Sequence, residues 1–332
     1  MSARTRNYAT FSGFALLCCW LVFLQCAHAE KPFTPLKPPG TFVNLGLHRM
    51  YIDCRGSREP TVLIDVGLGD ASVNWMPVML DVEPETRVCL YDRAGYGFSD
   101  TGPGYRTTAQ IVHELHAVLE LGNIPGPYVL VGHSFGGYTA QYFAIRYPKE
   151  TVGVVLVDSS HPDQITRLAP LNKATKEQRK LFVSKTTPPP ENMTPLQKEW
   201  YYLNISRKAT FAQMDELKYF SESAREVKNA GSFPDIPLAV LTRGKTLLPV
   251  IDGVSMEKVW IDMQNDLAKL SPQSWHVFVK NSGHNIYHDA PETVAENIIK
   301  VAQLARINMA RRGEQNLTAH NSATTSSPVL SH

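Results

Sequence analysis

Short apolar runs alternate with longer amphipathic stretches along the first half of the chain, and the alternation resumes near its end. The amphipathic stretches predict helices at Val73–Leu80, Thr107–Leu121 and Tyr138–Tyr147, and a closing helix from about Glu292. The apolar runs predict strands at Arg49–Cys54, Thr61–Val66, Arg87–Tyr91, Tyr128–Val131, Val152–Val157, Pro237–Thr242 and Trp275–Val279. Strands that alternate with helices in this way indicate an α/β fold with a mainly parallel sheet.

The most informative stretch is Tyr128–Gly137, which reads YVLVGHSFGG. An apolar run of strand length leads into a G-x-S-x-G turn, and the predicted helix that follows ends before Pro148. Glycine two positions to each side of a serine is typical of a nucleophile elbow, because larger side chains would clash in so tight a turn. We therefore predict that Ser134 is a nucleophile, which requires a histidine as base and a carboxylate to orient that histidine.

Eleven histidines compete for the role of base. His284 is the best candidate, because it follows Ser282-Gly283 in a loop directly after the last predicted strand. Loops at the carboxyl ends of strands are where a sheet-based site takes its side chains. His288 is the alternative in the same loop.

Several motifs occur in the order found in α/β-hydrolases, and the chain resembles that family from about Thr41 to Arg306. The motifs are Val66–Gly69 after a strand, Tyr91–Ser99 with the sequence YDRAGYGFS, the GHSFGG elbow, and Ser282–His284. The family order of nucleophile, acid and histidine is respected by Ser134 and His284. The resemblance implies a mainly parallel eight-stranded sheet flanked by helices, with a helical cap insertion.

The cap is predicted at 162–235, where the alternation of strands and helices stops, between core segments at 41–161 and 236–306. This segment contains the cluster Pro188–Pro190 and then helical stretches with the apolar and aromatic residues Trp200, Tyr201, Tyr202, Phe211, Met214, Leu217 and Phe220. Spacing of this kind favours packing of the cap against the core over the lining of a substrate pocket.

The acid of the site has two candidates. Many members of the family carry it after the seventh strand, but here that strand runs into Arg243–Leu248, and no carboxylate follows until Asp252. The sixth strand ends in Asp158, a position that some members use. An aspartate there projects toward the same sheet edge as the nucleophile, so we favour Asp158 over Asp252.

The oxyanion hole of this fold is usually made of backbone amides. One donor is predicted at Phe135, which follows the nucleophile at the start of a helix whose dipole favours negative charge. The resemblance implies that the second is the amide of Leu68, in the loop after the third strand, with Gly67 and Gly69 allowing close approach of the backbone.

The N-terminus has the pattern of a secretory signal peptide. Arg4 and Arg6 precede an apolar run at Phe14–Leu24, and Ala27–Ala29 forms an A-x-A cleavage site. We expect cleavage after residue 29, a linker at 30–40, export to the periplasm or medium, and no membrane span in the mature chain. An uncleaved anchor or a lipid-modified Cys26 are the alternatives. The polar residues at 307–332 predict a disordered tail.

Loss of residues 1–29 would remove two arginines and no acidic residue, which lowers the formal net charge from +2 to zero. A neutral chain gives no reason to expect nucleic acid or an anionic membrane as a partner. Of the five cysteines, only Cys54 and Cys89 would remain. The resemblance places them on neighbouring antiparallel strands, so a disulfide is favoured over two buried thiols.

No cofactor or metal is predicted from the motifs. No histidine or cysteine cluster has zinc-ligand spacing, Gly95–Gly97 lacks the third glycine of a dinucleotide fingerprint, and no glycine loop carries a Walker lysine. Asp92 and Arg93 are interpreted as a structural ion pair or turn anchor.

Together, Ser134, His284 and Asp158 predict an exported serine hydrolase that cleaves a carboxylic ester or related small acyl substrate through an acyl-enzyme. A serine nucleophile argues against haloalkane dehalogenases and epoxide hydrolases of this family, which use aspartate. Three alternatives stay open, namely an aminopeptidase or amidase, a cofactor-free perhydrolase, and a non-catalytic ligand-binding protein of the same fold. The sequence does not indicate an oligomeric state.

Overall fold

The computed structural model describes residues 37–173 and 193–325. Eight strands form one sheet in the order β1-β2-β4-β3-β5-β6-β7-β10. They are β1 (Thr41–Asn44), β2 (Arg49–Arg55), β3 (Thr61–Asp65), β4 (Val88–Tyr91), β5 (Tyr128–His133), β6 (Thr151–Val157), β7 (Leu238–Arg243) and β10 (Ser274–Val279). The β1-β2 and β2-β4 pairs are antiparallel and the other pairs are parallel, which confirms the predicted sheet.

Ten α-helices and a small hairpin complete the described part of the chain. The helices are α1 (Met76–Val82), α2 (Thr108–Leu121), α3 (Gly136–Arg146), α4 (Gln164–Arg167), α5 (Pro195–Asn204), α6 (Arg207–Lys218), α7 (Phe220–Asn229), α8 (Met256–Leu267), α9 (Ile286–Asp289) and α10 (Pro291–Thr325). Short 3₁₀ turns lie at Ser72–Trp75 and Ala169–Lys173, and the hairpin pairs β8 (Val250–Ile251) with β9 (Val254–Ser255).

Two apolar layers cover the two faces of the sheet. Successive residues of a strand point to opposite faces, so Ile64 of β3 lies in the layer with helices α1 and α10, whereas Leu63 lies in the layer with α2, α3 and α8. Both side chains are at most 1% exposed. Burial on both faces explains why the central strands are almost continuously apolar in sequence.

The last helix is longer than predicted. The sequence predicts that it ends near Arg306 and that 307–332 form a disordered tail, but α10 continues to Thr325. Its first half is anchored by buried side chains such as Ile298 and Ala305. Adding residues to an established helix costs little, and 307–312 is rich in good helix formers, so the polar composition does not end the helix.

The described part of the predicted cap contains α4, the 3₁₀ turn at Ala169–Lys173, and the helices α5, α6 and α7. Trp200 of α5 is 2% exposed and packs edge-to-face on Tyr51 of the core, and Phe220 of α7 packs on Phe135. The predicted packing of the cap against the core therefore holds at these two positions. It is wrong for Tyr202 on α5 and for Phe211, Met214 and Leu217 on α6, which are each more than half exposed. The cluster Pro188–Pro190 lies outside the described residues.

Cys54 and Cys89 lie directly opposite each other on β2 and β4, as the predicted strand neighbours require. Their sulfur atoms are 2.07 Å apart, a bonding distance. The predicted signal peptide and most of the predicted linker fall outside the described residues. Within the part of the chain that the structure describes, no helix is both long and apolar enough to span a bilayer.

Candidate active site

Ser134 lies at a sharp turn between β5 and α3, with a positive φ of 50°. The flanking glycines are required by close contacts: a Cβ on Gly132 would overlap the carbonyl of Gly136, and one on Gly136 would overlap the carbonyl of Asp65. A left-handed conformation is costly for a residue with a side chain, so it is held by the surrounding structure. The turn presents the half-buried serine at the carboxyl edge of the sheet.

His284 lies in the loop between β10 and α9, as predicted. Its Nδ1 is 2.6 Å from Oδ2 of Asp158, which directly follows β6. Because an ionised carboxylate can only accept a hydrogen bond, Nδ1 carries the hydrogen and Nε2 is left as the basic nitrogen. His288 is not at this position, since its exposed ring lies beside Asp289 on α9.

Asp158 is fully buried and has a positive φ of 40°. Its Oδ1 accepts from the indole Nε1 of Trp260 at 2.9 Å and from the backbone N–H of Arg243 at 3.3 Å. Burial acts to raise the pKa of Asp158, but the charge of Arg243 and the hydrogen bonds from His284 and Trp260 hold it well below its usual range. Asp158 is therefore ionised at neutral pH.

The alternative acid, Asp252, lies in the exposed turn between β8 and β9. A hairpin turn permits its positive φ of 50°, which aspartate tolerates better than most residues. The hydrogen bond of His284 is made with Asp158, so the geometry favours the acid at the end of β6.

Arg243 and Glu257 were not identified from the sequence. Arg243 ends β7, and its Nη1 donates to Oδ2 of Asp158 at 2.7 Å. Glu257, in the first turn of α8, accepts from Nε and Nη2 of Arg243 at 3.1 Å each. The only sequence signal was that Arg243 stands at the end of the seventh strand, where many relatives of this fold carry the acid.

The loop after β3 lies against the elbow. A Cβ on Gly67 would approach Nδ1 of His133 to 2.9 Å and Cβ of Ser134 to 3.4 Å, so glycine allows close packing here. Arg93 donates from Nη1 to the carbonyl of Val66 at 2.7 Å and from Nη2 to that of Gly67 at 3.0 Å. These bonds fix the peptides next to the half-buried Leu68, whose amide is the predicted oxyanion donor.

Phe135, the other predicted donor, is the N-cap residue of α3. Amides at a helix N-terminus lack partners within the helix and point toward its positive dipole end. Its side chain is fully buried against Tyr138 and Phe220. The position therefore suits stabilisation of a negative charge that develops next to Ser134.

Asp92 and Arg93 are structural, although they do not pair with each other. Asp92 accepts from the backbone of Phe98 and from the indole of Trp200, and burial raises its pKa to about 6. Arg93 is 2% exposed and pairs with Asp65 of β3 and with Glu216 of α6. Asp92 therefore anchors the turn, as one interpretation predicts. Arg93 forms ion pairs, but with Asp65 and Glu216 and not with Asp92.

Among the residues that the structure describes, no group of three or more histidine, cysteine, aspartate or glutamate side chains is arranged to hold a metal ion. At the sheet edge where the elbow presents Ser134, His284 is bonded to the ionised Asp158, and the loop at Gly67 packs against the elbow. Such a set can activate a hydroxyl group and stabilise an oxyanion.

Comparisons with known proteins agree with this fold. A family model described as alpha/beta hydrolase fold matches residues 60–231. The uncharacterized protein YqjL of Bacillus subtilis is 29% identical over 241 residues, which cover 72% of this chain and 82% of YqjL. The chain spans less than half of three further curated relatives.

Two solved structures share the fold at low sequence identity. An esterase from Exiguobacterium antarcticum superposes with a TM-score of 0.57 and 16% identity, covering 80% of this chain and 99% of the esterase. An epoxide hydrolase mutant from Vigna radiata superposes with a TM-score of 0.60 and 15% identity, covering 80% of this chain and 98% of that protein. Since the family model matches more than half of the chain, the protein belongs to the α/β-hydrolase fold family.

Proposed function

We propose that the protein is a serine hydrolase that cleaves carboxylic esters or related acyl compounds through an acyl-enzyme on Ser134. The observation that carries this proposal is the 2.6 Å contact between Nδ1 of His284 and Oδ2 of Asp158, at the sheet edge where the elbow presents Ser134. It leaves Nε2 of His284 as a base for the serine proton. The serine also argues against chemistry that starts from an aspartate nucleophile.

In the first half of the reaction, Nε2 of His284 takes the hydroxyl proton while Oγ of Ser134 attacks the carbonyl carbon. The carbonyl π electrons move to oxygen, and the amides of Phe135 and Leu68 donate to the resulting oxyanion. Collapse of this intermediate expels the alcohol, which takes its proton from the His284 imidazolium. Asp158 stays ionised and stabilises that imidazolium.

In the second half, His284 removes a proton from water, and the hydroxide attacks the acyl carbon. The second tetrahedral intermediate uses the same two amides. Its collapse breaks the bond to Oγ, returns the proton from His284 to Ser134 and releases the carboxylic acid. No cofactor enters either half.

A fluorophosphonate that labels activated serines tests the proposal directly. The wild-type protein should be labelled at Ser134, and the variants Ser134→Ala and His284→Ala should not. A panel of p-nitrophenyl esters and aminoacyl anilides should then separate an esterase from an aminopeptidase or amidase. Absence of labelling at Ser134 in folded wild-type protein would favour a non-catalytic ligand-binding role.

Export is part of the proposal and rests on the sequence of residues 1–29. Expression with the intact N-terminus should give a mature chain that begins at Glu30, as measured by intact mass and N-terminal sequencing. A chain that retains Cys26, with or without added lipid mass, would show an anchor instead.

A further inference from the structure

Three buried charges extend away from His284 in a row. Asp158, Arg243 and Glu257 are 0%, 4% and 6% exposed. Arg243 contacts the same oxygen of Asp158 that receives the hydrogen bond from His284. On its other side Arg243 is held by both oxygens of Glu257. The row therefore contains two carboxylates and one guanidinium, and carries one net negative charge.

The arginine creates an electrostatic problem for a catalytic histidine. An imidazolium forms when His284 accepts a proton, and the charge of a neighbouring carboxylate stabilises it. A guanidinium 2.7 Å from that carboxylate opposes this effect, because it presents a positive charge close to the developing one. With Asp158 and Arg243 alone, the imidazolium would face a neutral pair.

Glu257 adds a second negative charge to the row, and hydrogen bonds hold its carboxylate in place. Its Oε2 accepts from the backbone amides of Leu247 and Leu248, at 2.9 Å each, in addition to Arg243. These bonds fix the carboxylate at the start of α8, where the helix dipole also favours a negative charge. Trp260, one turn further along α8, covers the guanidinium of Arg243 at 4.6 Å and donates to Asp158.

We propose that Arg243 and Glu257 are positioning residues of the active site: Arg243 fixes the Asp158 carboxylate toward His284, and Glu257 restores the negative charge that His284 needs. This inference rests on the proposed function. Neither residue contacts the reacting atoms, so each acts through Asp158. Arg243 ends β7 and Glu257 lies on the helix that follows, α8. Together they support Asp158, the acid at the end of β6.

A purely structural role is the competing explanation, since Arg243 and Glu257 also hold the 244–248 loop. The two explanations predict different effects on the His284 imidazolium when charges are removed from the row. Glu257→Gln leaves the row neutral and should disfavour the imidazolium. The double change Arg243→Met and Glu257→Gln removes one charge of each sign and returns the row to one negative charge. A purely structural role does not predict that the double variant restores what Glu257→Gln removes.

The experiment measures the titration midpoint of the His284 imidazole by NMR, assigned by its loss in His284→Ala. Glu257→Gln should move this midpoint down by roughly 0.5 to 1 pH unit. The double variant should return it close to the wild-type position. Glu114→Gln is the matched control, because Glu114 forms a buried pair with Arg106 outside the site, and it should leave the midpoint unchanged.

The other titratable groups near His284 stay the same in all of these proteins. In the described part of the chain they are His133 on the β5 side, Asp289 at the end of α9, Lys245 in the loop after β7, and Asp70, which lies across Tyr287. Their contributions therefore cancel when the variants are compared with the wild type.

A midpoint that does not move in Glu257→Gln, or that moves equally in the double variant, would overturn the inference. If the single variant does not fold, the double variant decides, since it removes one charge of each sign and keeps the net charge of the wild-type row. It must keep the wild-type midpoint and lower the plateau rate of fluorophosphonate labelling roughly tenfold, because Asp158 is no longer held. A displaced midpoint or an unchanged plateau would refute the proposal.

The NMR measurement does not depend on turnover, so it separates this inference from the proposed function. A protein whose midpoints shift as described but whose Ser134 is never labelled retains the charge compensation and loses the hydrolase assignment. A protein that is labelled normally but shows no shift retains the hydrolase assignment and loses the role of Glu257.

Discussion

His133 donates from Nε2 to the backbone carbonyl of His284 at 3.0 Å, so the residue before the nucleophile holds the segment that carries the base. A carbonyl only accepts, which places the ring hydrogen on Nε2. His133 is 2% exposed, and burial, followed by the nearby His284, lowers its pKa to about 3. The ring therefore stays neutral in the folded protein at any pH at which the protein is expected to act.

This neutral histidine should make stability depend on pH. Above pH 6.5 it is uncharged in both states and contributes no pH dependence. Between pH 6.5 and about 3 the unfolded chain binds a proton that the folded chain excludes, so the free energy of unfolding falls as the pH falls. At pH 5 the loss from this group should be about 2 kcal/mol relative to pH 7.

The variant His133→Gln isolates this contribution. It is expected to be less stable than the wild type at pH 7, and the difference should shrink by about 2 kcal/mol at pH 5 in urea unfolding. Asp92, with a pKa of about 6, acts with the opposite sign in this range but is common to both proteins. Parallel stability curves from pH 7 to 5 would show that His133 is protonated in the folded state.

Replacing Ser134 or His284 with alanine should reduce kcat by roughly 10³-fold or more, since the nucleophile and its base act as a unit. The double variant should be little worse than the more damaged single variant. Circular dichroism and thermal unfolding should show that all three proteins fold. Losses in kcat that multiply would contradict the partnership between the two residues.

Asp158→Asn should lower kcat by roughly 10³-fold, because the amide no longer selects the tautomer with hydrogen on Nδ1 of His284. Asp252→Asn is the control and should be close to neutral, since Asp252 lies in an exposed hairpin turn. Steady-state hydrolysis of the best ester in the panel measures both. The opposite ranking would assign the acid to Asp252.

Sequence patterns located the candidate residues that follow strands. Ser134 and Asp158 come directly after β5 and β6, His284 lies in the loop after β10, and the parallel strands bring these ends to one edge. The resemblance supplied the cap and Leu68. The position of Leu68 between two glycines gives no further evidence for its role, because a backbone donor does not depend on the chemistry of its side chain.

Sequence patterns do not predict contacts between distant parts of the chain. Arg93 pairs with Glu216, which is 123 residues away, and nothing local to either residue indicates this pairing. Arg243 and Glu257 are separated by the small hairpin, so their alignment depends on how α8 packs. Polar composition also predicts the end of α10 wrongly, because extending an established helix costs little.

The pair between Arg93 and Glu216 joins the cap to the loop that carries Leu68. Glu216→Ala should lower the free energy of unfolding by about 3 kcal/mol or more, because the buried guanidinium loses one of its two carboxylates. Glu222→Ala, which breaks an exposed pair with Arg225 on α7, should cost less than 1 kcal/mol. Denaturant unfolding compares the two. Equal small effects would mean that the cap does not depend on Arg93.

The pair of Cys54 and Cys89 gives the last prediction. The two residues lie directly opposite each other on adjacent antiparallel strands and are 35 positions apart in sequence. A disulfide that closes a loop of this size should contribute about 3–4 kcal/mol, mainly by restricting the unfolded chain. The oxidised mature protein should therefore show no free thiol after unfolding.

Reductant should lower the Tm of the wild-type protein and leave that of the double variant Cys54→Ser and Cys89→Ser unchanged. Labelling of Ser134 at low temperature should be similar with and without reductant, because neither cysteine belongs to the proposed site. Two thiols in the unreduced, unfolded wild-type protein would contradict the disulfide. That result would leave the proposed hydrolase chemistry intact and would weaken only the argument for an oxidising compartment.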